Sequence, residues 1–281
     1  MNVLPVERRI QILQGLLEGS SIRSISRLTG THIVTILRLL REAGVRCAEL
    51  MDEKMRGIRP EAIQCDEIWT YCKKKDARLT WNDPPEVGSQ FVFVALEAQT
   101  KLIPCFLLGQ RNEMTTYRFM ADLRKRTVGR YQITTDAFAP YHSAVALTFG
   151  GLNVDYAQLI KSFRRNGHPK AESYSPSKFV RTKPVIFYGN PDPKKISTSY
   201  VERQNLSMRT HLRRLTRLSL GFSKKWENLW AMLAVYFCWY NLGRAHLSLG
   251  GKTPAMAAGL TDHPWTLAEI MGWKTNGRVS K

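Results

Sequence analysis

Paired cysteines and long apolar runs are both missing from this sequence of 281 residues. The five cysteines, Cys47, Cys65, Cys72, Cys105 and Cys238, form no C-x-x-C pair, which argues against a disulfide framework and against a cysteine zinc site. The longest apolar runs, such as FVFVAL, are far too short to span a bilayer. No signal peptide opens the sequence. We therefore expect a cytoplasmic protein with no membrane partner.

Acidic residues are also scarce, because 23 Asp and Glu stand against 42 Lys and Arg, for a net charge of +19. The positive excess is clustered, since residues 161–225 contain 16 Lys or Arg and only three acids. A hydrophobic content of 43% is ordinary for a globular protein with a sizeable core. A clustered positive charge favours a polyanionic partner, and nucleic acid is the commonest soluble one. The expected location is therefore near the nucleoid.

The first 45 residues predict a small all-α domain of three helices, followed by a connector at 46–60. Gly19 and Gly30 close the first two helices, and Thr31 can cap the third. Two short helices joined at a glycine match a helix-turn-helix unit, which would bind DNA through its second helix. The residues expected to face outward and touch DNA are Thr31, His32, Thr35, Arg38 and Arg41. The alternative is a helical bundle that dimerises or packs on the rest of the chain.

From residue 61 the pattern becomes α/β. AIQCDEIWTYC predicts a strand, FVFVALEAQTKLIPCFLLG two more, and YQITTD and NVDYAQLIKSF a fourth and fifth, with helices at NEMTTYRFMADLRKRT and AFAPYHSAVALTFG. This order predicts a ribonuclease-H-like mixed sheet flanked by helices, over 61–250. A loop-rich insertion is expected at 164–197, one long helix over STSYVERQNLSMRTHLRRLTRLSLGF, a buried helix over WENLWAMLAVYFCWYNL, and a tail at 251–281.

Three carboxylates stand where they could meet. Asp66 and Asp136 each follow a short apolar run, and Glu202 lies in the long helix among arginines. Three converging carboxylates can hold two Mg²⁺ ions about 3.5–4 Å apart, which suits the cutting of a phosphodiester bond. Taken alone, each acid is usually a turn, cap or solvated residue. Glu67 should point to the opposite face of its strand from Asp66 and so lie outside the site, and Asp155 is expected to be structural.

Four stretches resemble the DDE transposases of bacterial and archaeal insertion sequences, most closely insertion sequence family one. They are IQCDEIWTYCKKK, TTDAFAPYHSAV, DYAQLIK and TSYVERQNLSMRTHLRRLTRLSLGFSK. The resemblance runs from about residue 61 to residue 250 and implies a DDE catalytic domain that uses two Mg²⁺ ions, with Mn²⁺ as a substitute. It also implies cleavage at the ends of the element, joining of the 3′-OH to target DNA, and at least a homodimer on double-stranded DNA. The family's cysteine-paired zinc finger is absent here.

The same resemblance implies roles for individual residues. Asp66, Asp136 and Glu202 would be the catalytic and metal-binding acids, and Arg209 would grip a phosphate at the end of the element. Further basic residues are candidates for the path of the DNA: Lys73, Lys74, Arg164, Arg165, Lys194, Lys195, Arg203 and Arg213. Two other functions stay open, namely a helix-turn-helix regulator on an inactive domain and a nuclease of the same fold without strand transfer.

Overall fold

A computed structural model describes residues 3–150, 153–164 and 178–274 of the chain. The helices are α1 Val6–Leu17, α2 Ile22–Thr29, α3 Ile33–Lys54, α4 Glu113–Arg126, α5 Pro140–Phe149, α6 Ser199–His211, α7 Trp226–Leu242, α8 Pro254–Ala257 and α9 Leu267–Met271. The strands are β1 Ala62–Cys72, β2 Gly88–Glu97, β3 Phe106–Gly109, β4 Tyr131–Thr135, β5 Val154–Arg164 and β6 Lys178–Tyr188. Short 3₁₀ turns lie at Asp76–Arg78, Pro193–Lys195, Arg213–Leu215 and Leu247–Leu249.

The strands form one mixed sheet in the order β3-β2-β1-β4-β5-β6. The first three strands are antiparallel, β4 pairs parallel with β1, and β5 pairs parallel with β4. Helix α4 connects β3 to β4, and α5 connects β4 to β5. This arrangement of three antiparallel strands followed by two parallel strands with helical crossovers confirms the predicted ribonuclease-H-like fold.

The sixth strand lies inside the segment that was predicted to be a loop-rich insertion. Lys178–Tyr188 pairs antiparallel with β5 and extends the sheet by one strand. The prolines of this segment, Pro184 among them, favour a loop in the sequence, but β6 is an edge strand, where a residue without a backbone N–H is tolerated because one side of the strand has no partner. The remainder of the predicted insertion includes residues 165–177, which lie outside the described residues.

Successive side chains of the strands point to opposite faces of the sheet, and each face packs into its own hydrophobic core. On one face, Phe93 and Ile133 pack with Phe119 of α4 and Tyr141 of α5. The other face packs beneath α7 and joins the amino-terminal helices in one continuous cluster. In the described part of the chain, no helix is both long enough and apolar enough to cross a membrane.

Helix α3 continues to Lys54, through most of the predicted connector, and its amino-terminal cap is His32 rather than the predicted Thr31. It packs along α7 so closely that a Cβ placed on Gly44 would lie 2.6 Å from the Cα of Ala231. The predicted carboxyl-terminal tail also folds back on this layer, because the backbone N–H of Trp265 donates to the carbonyl of Leu242 over 2.8 Å. The amino-terminal helices and α7 therefore share one core.

Helix α6 is shorter than the long helix that was predicted. It ends at His211 because Leu212 adopts an extended backbone, with φ −109° and ψ 103°. Its buried side consists of Val201, Gln204, Asn205 and Met208. The spacing of Leu206, Leu212, Leu215 and Leu218 in the sequence predicts that these leucines form the inner side of the long helix, but Leu206 is 66% exposed. The leucine pattern misled the prediction because two polar residues, rather than leucines, complete the buried side.

Candidate active site

One side chain of β1 fixes the first turn of α6 in place. The Oε1 atom of Gln64 accepts hydrogen bonds from the backbone N–H groups of Tyr200 and Val201, at 2.9 and 3.2 Å. These groups belong to the helix start, where backbone N–H groups have no partner within the helix. Gln64 thus acts as a distant cap that holds α6 against the sheet.

Asp66 and Asp136 meet where β4 stops. Cys65 pairs with Thr135, the last residue of β4, so among the described residues β1 has no partner on that side from Asp66 until Cys72 bridges to Ser223. Asp136 follows at once and enters the gap, where its Oδ1 accepts the backbone N–H of Phe138 at 3.0 Å. A parallel strand that ends early therefore creates the space in which the two acids can approach each other.

Three acids form a compact group, here called the acidic cluster: Asp66, Glu67 and Asp136. One carboxylate oxygen of each lies within 4.8 Å of those of the other two. The expectation that Glu67 would lie outside the site is wrong. Its side chain does leave the opposite face of β1, toward α5, but the gap beyond β4 lets its carboxylate approach the other two.

The acidic cluster raises the pKa of its own members. The pKa of Asp66 rises to about 6 and that of Glu67 to about 7, in both cases mainly through burial and then through repulsion by Asp136. Burial also raises the pKa of Asp136. Carboxylates that are hard to ionise together attract a cation strongly, since positive charge relieves their repulsion.

Arg111, in the loop between β3 and α4, supplies part of that positive charge. Its Nε donates to Glu67 at 3.1 Å, its Nη2 donates to Asp136 at 3.3 Å, and its guanidinium lies 3.7 Å from the ring centroid of Phe138. Sequence analysis missed this residue. The loop has no periodic pattern, and only the position of the loop, next to the end of a strand, could have pointed to it.

Glu202 lies beside the acidic cluster without being part of it. Its Oε1 accepts hydrogen bonds from the Lys161 ammonium group and from the Thr198 hydroxyl. The charge of Glu202 contributes to the raised pKa values of both Asp66 and Asp136, as expected of a neighbouring carboxylate. The three predicted acids are therefore near one another. Lys161 on β5, which sequence analysis did not single out, neutralises the third.

The residues present fit a divalent cation. Two buried oxygens at the site, Glu67 Oε1 and Asn205 Oδ1, have no hydrogen-bond partner at normal distance and angle among the described residues, although the Tyr141 hydroxyl lies close enough to lower the pKa of Glu67. Buried polar atoms are rarely left unpaired, so such atoms beside a group of carboxylates suit an ion or its bound water. All donors are carboxylate or amide oxygens, the class that Mg²⁺ and Mn²⁺ prefer.

The DNA-contacting residues predicted beyond residue 60 fall into separate groups. Lys73, Lys74 and Arg209 line one groove, described below. Arg203, Arg213 and Lys194 are exposed, whereas Lys195 pairs with Glu61. The side chain of Arg164 and all of Arg165 lie outside the described residues.

The predicted outward set of the amino-terminal helices is only partly at the surface. Thr31 is 6% exposed, so it does not present its hydroxyl outward as predicted. His32 is exposed, and its Nδ1 accepts the backbone N–H of Val34 at 3.3 Å. Arg38 is exposed, Thr35 is half-buried, and Arg41 donates to Asn228 of α7 at 3.2 Å. Thr31 is buried because it precedes the helix and turns back toward Thr29, whose carbonyl its hydroxyl approaches.

The sequence matches no known protein family and no curated protein. Among solved structures, the chain is similar to the Mos1 transposase paired-end complex with left transposon end, at 16% identity over 56% of this chain and 60% of that one, with a TM-score of 0.23. It is also similar to a piggyBac transposase synaptic complex with hairpin DNA, at 11% identity over 97% and 74% of the two chains, with a TM-score of 0.39. The Mos1 mariner paired end complex with Mn gives 15% identity, coverages of 56% and 60%, and a TM-score of 0.22. Likeness at this level says nothing about substrate or reaction.

Proposed function

We propose that this protein is a metal-dependent DNA transposase of the DDE type, from an insertion sequence related to insertion sequence family one. Its reaction is the cleavage of double-stranded DNA at the ends of the element and the joining of the freed 3′-OH to target DNA. Double-stranded DNA is the partner, and the active form on DNA is at least a homodimer.

One observation carries the proposal. Asp66, Asp136 and Glu202 come from the middle of β1, from the end of β4 and from α6, and they lie near one another beside the carboxyl end of β4. Asp136 lies 70 residues after Asp66, and Glu202 lies 66 residues after Asp136. Their proximity is therefore a product of the fold and not of neighbouring positions in the sequence. A cluster of buried carboxylates is costly for stability, and such costs concentrate at functional sites.

Asp66, Asp136 and Glu202 are the residues that would hold two Mg²⁺ or Mn²⁺ ions, with Glu67 as an additional oxygen donor nearby. When bound, such ions activate the attacking oxygen and neutralise the leaving oxygen of a phosphodiester. Asn205 orients Asp66 through its hydrogen bond, and Lys161 and Thr198 orient Glu202. Arg111 balances the charge of Glu67 and Asp136.

The two steps of the reaction balance without any redox partner. In the first, a water oxygen bonds to phosphorus, the P–O3′ bond at the end of the element breaks, and the departing 3′-oxygen takes up a proton to become the free 3′-OH, in place of the one that the water gives up. In the second, the freed 3′-oxygen bonds to a phosphorus of target DNA, and the target's own 3′-oxygen leaves. The basic residues near the site would hold the strands by their phosphates.

The decisive experiment incubates the full chain with labelled DNA that carries the flanks of its gene, with and without Mg²⁺. We expect Mg²⁺-dependent cleavage that Asp66→Asn, Asp136→Asn and Glu202→Gln each abolish. Full activity of any of these variants would refute the assignment of that residue.

Two rival functions give different results in the same assay. A nuclease of this fold would cut but would not join a pre-cut 3′ end to target DNA. A helix-turn-helix regulator on an inactive domain would bind specific DNA without metal-stimulated cutting.

A further inference from the structure

An open groove of about 890 Å³ begins on the same strand as the acidic cluster. Its walls are the second half of β1, the loop at residues 73–78, and the segment at 209–222 that follows α6. Trp69 lies three residues beyond Asp66, about 10 Å further along β1 between Cα atoms, and its side chain leaves the same face of β1 as Glu67 of the acidic cluster. A polymer that occupies the groove could therefore continue into the site.

The groove is strongly basic. Seven Lys or Arg side chains line it and no Asp or Glu does: Lys73, Lys74, Lys75, Arg78, Arg209, Arg214 and Arg217. Within the described residues, only Lys74 of this set forms a salt bridge, to Asp83 at 2.6 Å. Such an accumulation of like charge is unfavourable by itself and indicates an anionic ligand.

Among these side chains, Arg214 has a guanidinium that is only partly hydrogen-bonded within the protein. Its Nη1 donates to the hydroxyl of Ser223 at 2.7 Å, while its Nη2 is buried and has no partner among the described residues. Ser223 is itself fixed, because its carbonyl accepts the backbone N–H of Lys73 at 2.9 Å. An unpaired buried guanidinium nitrogen is costly, so a phosphate admitted beside Arg214 would supply the charge-assisted hydrogen bond that the described residues do not.

A row of aromatic rings runs through the same groove. The ring centroids of Trp69 and Tyr71 are 5.7 Å apart, and those of Tyr71 and Phe222 are 4.5 Å apart. Trp69 is 38% exposed, and its Nε1 donates to Ser89 at 2.9 Å, which fixes the plane of the ring. Duplex DNA presents phosphates to a protein but keeps its base faces stacked inside, so an aromatic row adds nothing to its binding.

We propose that this groove binds a single strand of DNA, separated from its complement, with a base stacked on the aromatic row and a phosphate at Arg214 and Arg209. Basic grooves with aromatic platforms are the general means by which proteins hold unpaired strands. The inference rests on the proposed function only in that the same strand would reach the acidic cluster. If the groove holds a single strand, the two strands of the DNA must separate beside the acidic cluster.

The test measures the binding of a fluorescein-labelled oligo(dT) of about ten nucleotides to the full chain by anisotropy, at fixed salt and in EDTA. We expect the single strand to bind, and Trp69→Ala to weaken binding about fivefold or more, the loss expected for one base stack. Arg217→Ala should also weaken it. The matched controls, Trp81→Ala and Arg181→Ala, remove an exposed tryptophan and an exposed arginine outside the groove and should change binding less than twofold.

Three results would overturn the proposal. Equal affinities of Trp69→Ala and Trp81→Ala would exclude stacking, provided both variants keep the circular dichroism spectrum of the unaltered protein. Tighter binding of an oligo(rU) of the same length would mean that the ligand is RNA. A duplex that competes as well as the single strand would mean that the groove holds paired DNA.

The outcome is separable from that of the proposed function, since no metal is present and no bond is broken. Oligo(dT) binding in EDTA reports on the groove alone, whereas Mg²⁺-dependent cleavage of the DNA that flanks the gene reports on the proposed function. A protein that binds the single strand but never cuts DNA would refute the transposase proposal alone.

Discussion

The side-chain amide of Asn205 donates to Asp66 Oδ2 over 2.9 Å, across 139 positions of sequence. This bond joins the inner side of α6 to the middle of β1. Because Gln64, two residues earlier on the same face of β1, binds the start of the helix, α6 is held at two points. Glu202 lies between those points on the helix, so the two bonds together determine where its carboxylate stands.

The first prediction concerns this amide. Replacement of Asn205 by Ala removes a hydrogen bond that lowers the pKa of Asp66. Asp66 should then ionise at higher pH, and Mn²⁺ binding, which needs the carboxylate ionised, should require higher pH too. We expect affinity to fall about 10- to 100-fold near neutral pH, as for other residues that orient metal ligands. Isothermal titration calorimetry with Mn²⁺ at a series of pH values measures the affinity and the pH at which the affinity is half-way through its change.

Asn190→Ala is the control for this prediction, because that asparagine is exposed and contacts Asp155 through its backbone rather than its side chain. It should leave the Mn²⁺ titration unchanged. If Asn205→Ala lowers affinity equally at every pH, Asn205 serves only to support the structure and does not tune Asp66.

The second prediction is that the metal-free protein loses stability as pH rises from about 4 to about 7. The pKa of Asp66 is about 6 and that of Glu67 about 7, both above their values of 3.8 and 4.5 in an unfolded chain. Between those limits the folded state binds more protons than the unfolded state, so the free energy of unfolding decreases with pH. Urea unfolding in EDTA at several pH values measures how steeply the free energy of unfolding falls with pH.

Glu67→Gln tests how much of that slope comes from one residue. Glutamine stays neutral, so the variant should become progressively more stable relative to the unaltered protein between about pH 4.5 and pH 7. Glu49→Gln, at an exposed position on α3, should give a difference that does not change with pH. If the difference in the free energy of unfolding between Glu67→Gln and the unaltered protein also stays constant with pH, the surroundings of Glu67 do not raise its pKa.

The first five strands, and the positions of the two aspartates in or after them, could be predicted from sequence because their signals are local. Alternating apolar residues marked β1 and β4, and Asp66 and Asp136 lie in or directly after those runs. Helix α7 was equally clear, since its apolar residues are continuous. Each of these features depends on neighbours along the chain.

The missed features depend on contacts between distant elements. Arg111 acts only because its loop lies beside the end of β4, and Lys161 only because β5 brings it to Glu202. The cluster includes Glu67 because β4 ends early, which the alternation rule for a continuous sheet does not anticipate. The end of α6 was misplaced because its inner side is polar, with Gln204 bonded to Tyr236.

The third prediction addresses DNA binding by the amino-terminal helices, which remains a prediction. Arg38 is exposed near the start of α3, so Arg38→Ala should weaken binding to DNA from the ends of the element. If it contacts a phosphate, the slope of log affinity against log salt should drop by about 1. Thr31→Val should leave affinity and slope unchanged, since Thr31 is buried. Unchanged binding by Arg38→Ala would instead favour a packing role for these helices.

The fourth prediction concerns the contact between α3 and α7. Replacing a glycine inside a helix by alanine usually stabilises the helix by about 1 kcal/mol. At Gly44, however, the added Cβ would lie 2.6 Å from the Cα of Ala231. The helices must move apart, and overpacking of this kind costs about 1–3 kcal/mol. Urea unfolding should show that loss, whereas Val45→Ala, at the adjacent position, which is 50% exposed, should change stability by no more than about 0.5 kcal/mol. A Gly44→Ala protein as stable as the unaltered one would mean that α3 and α7 are farther apart than the structure has them.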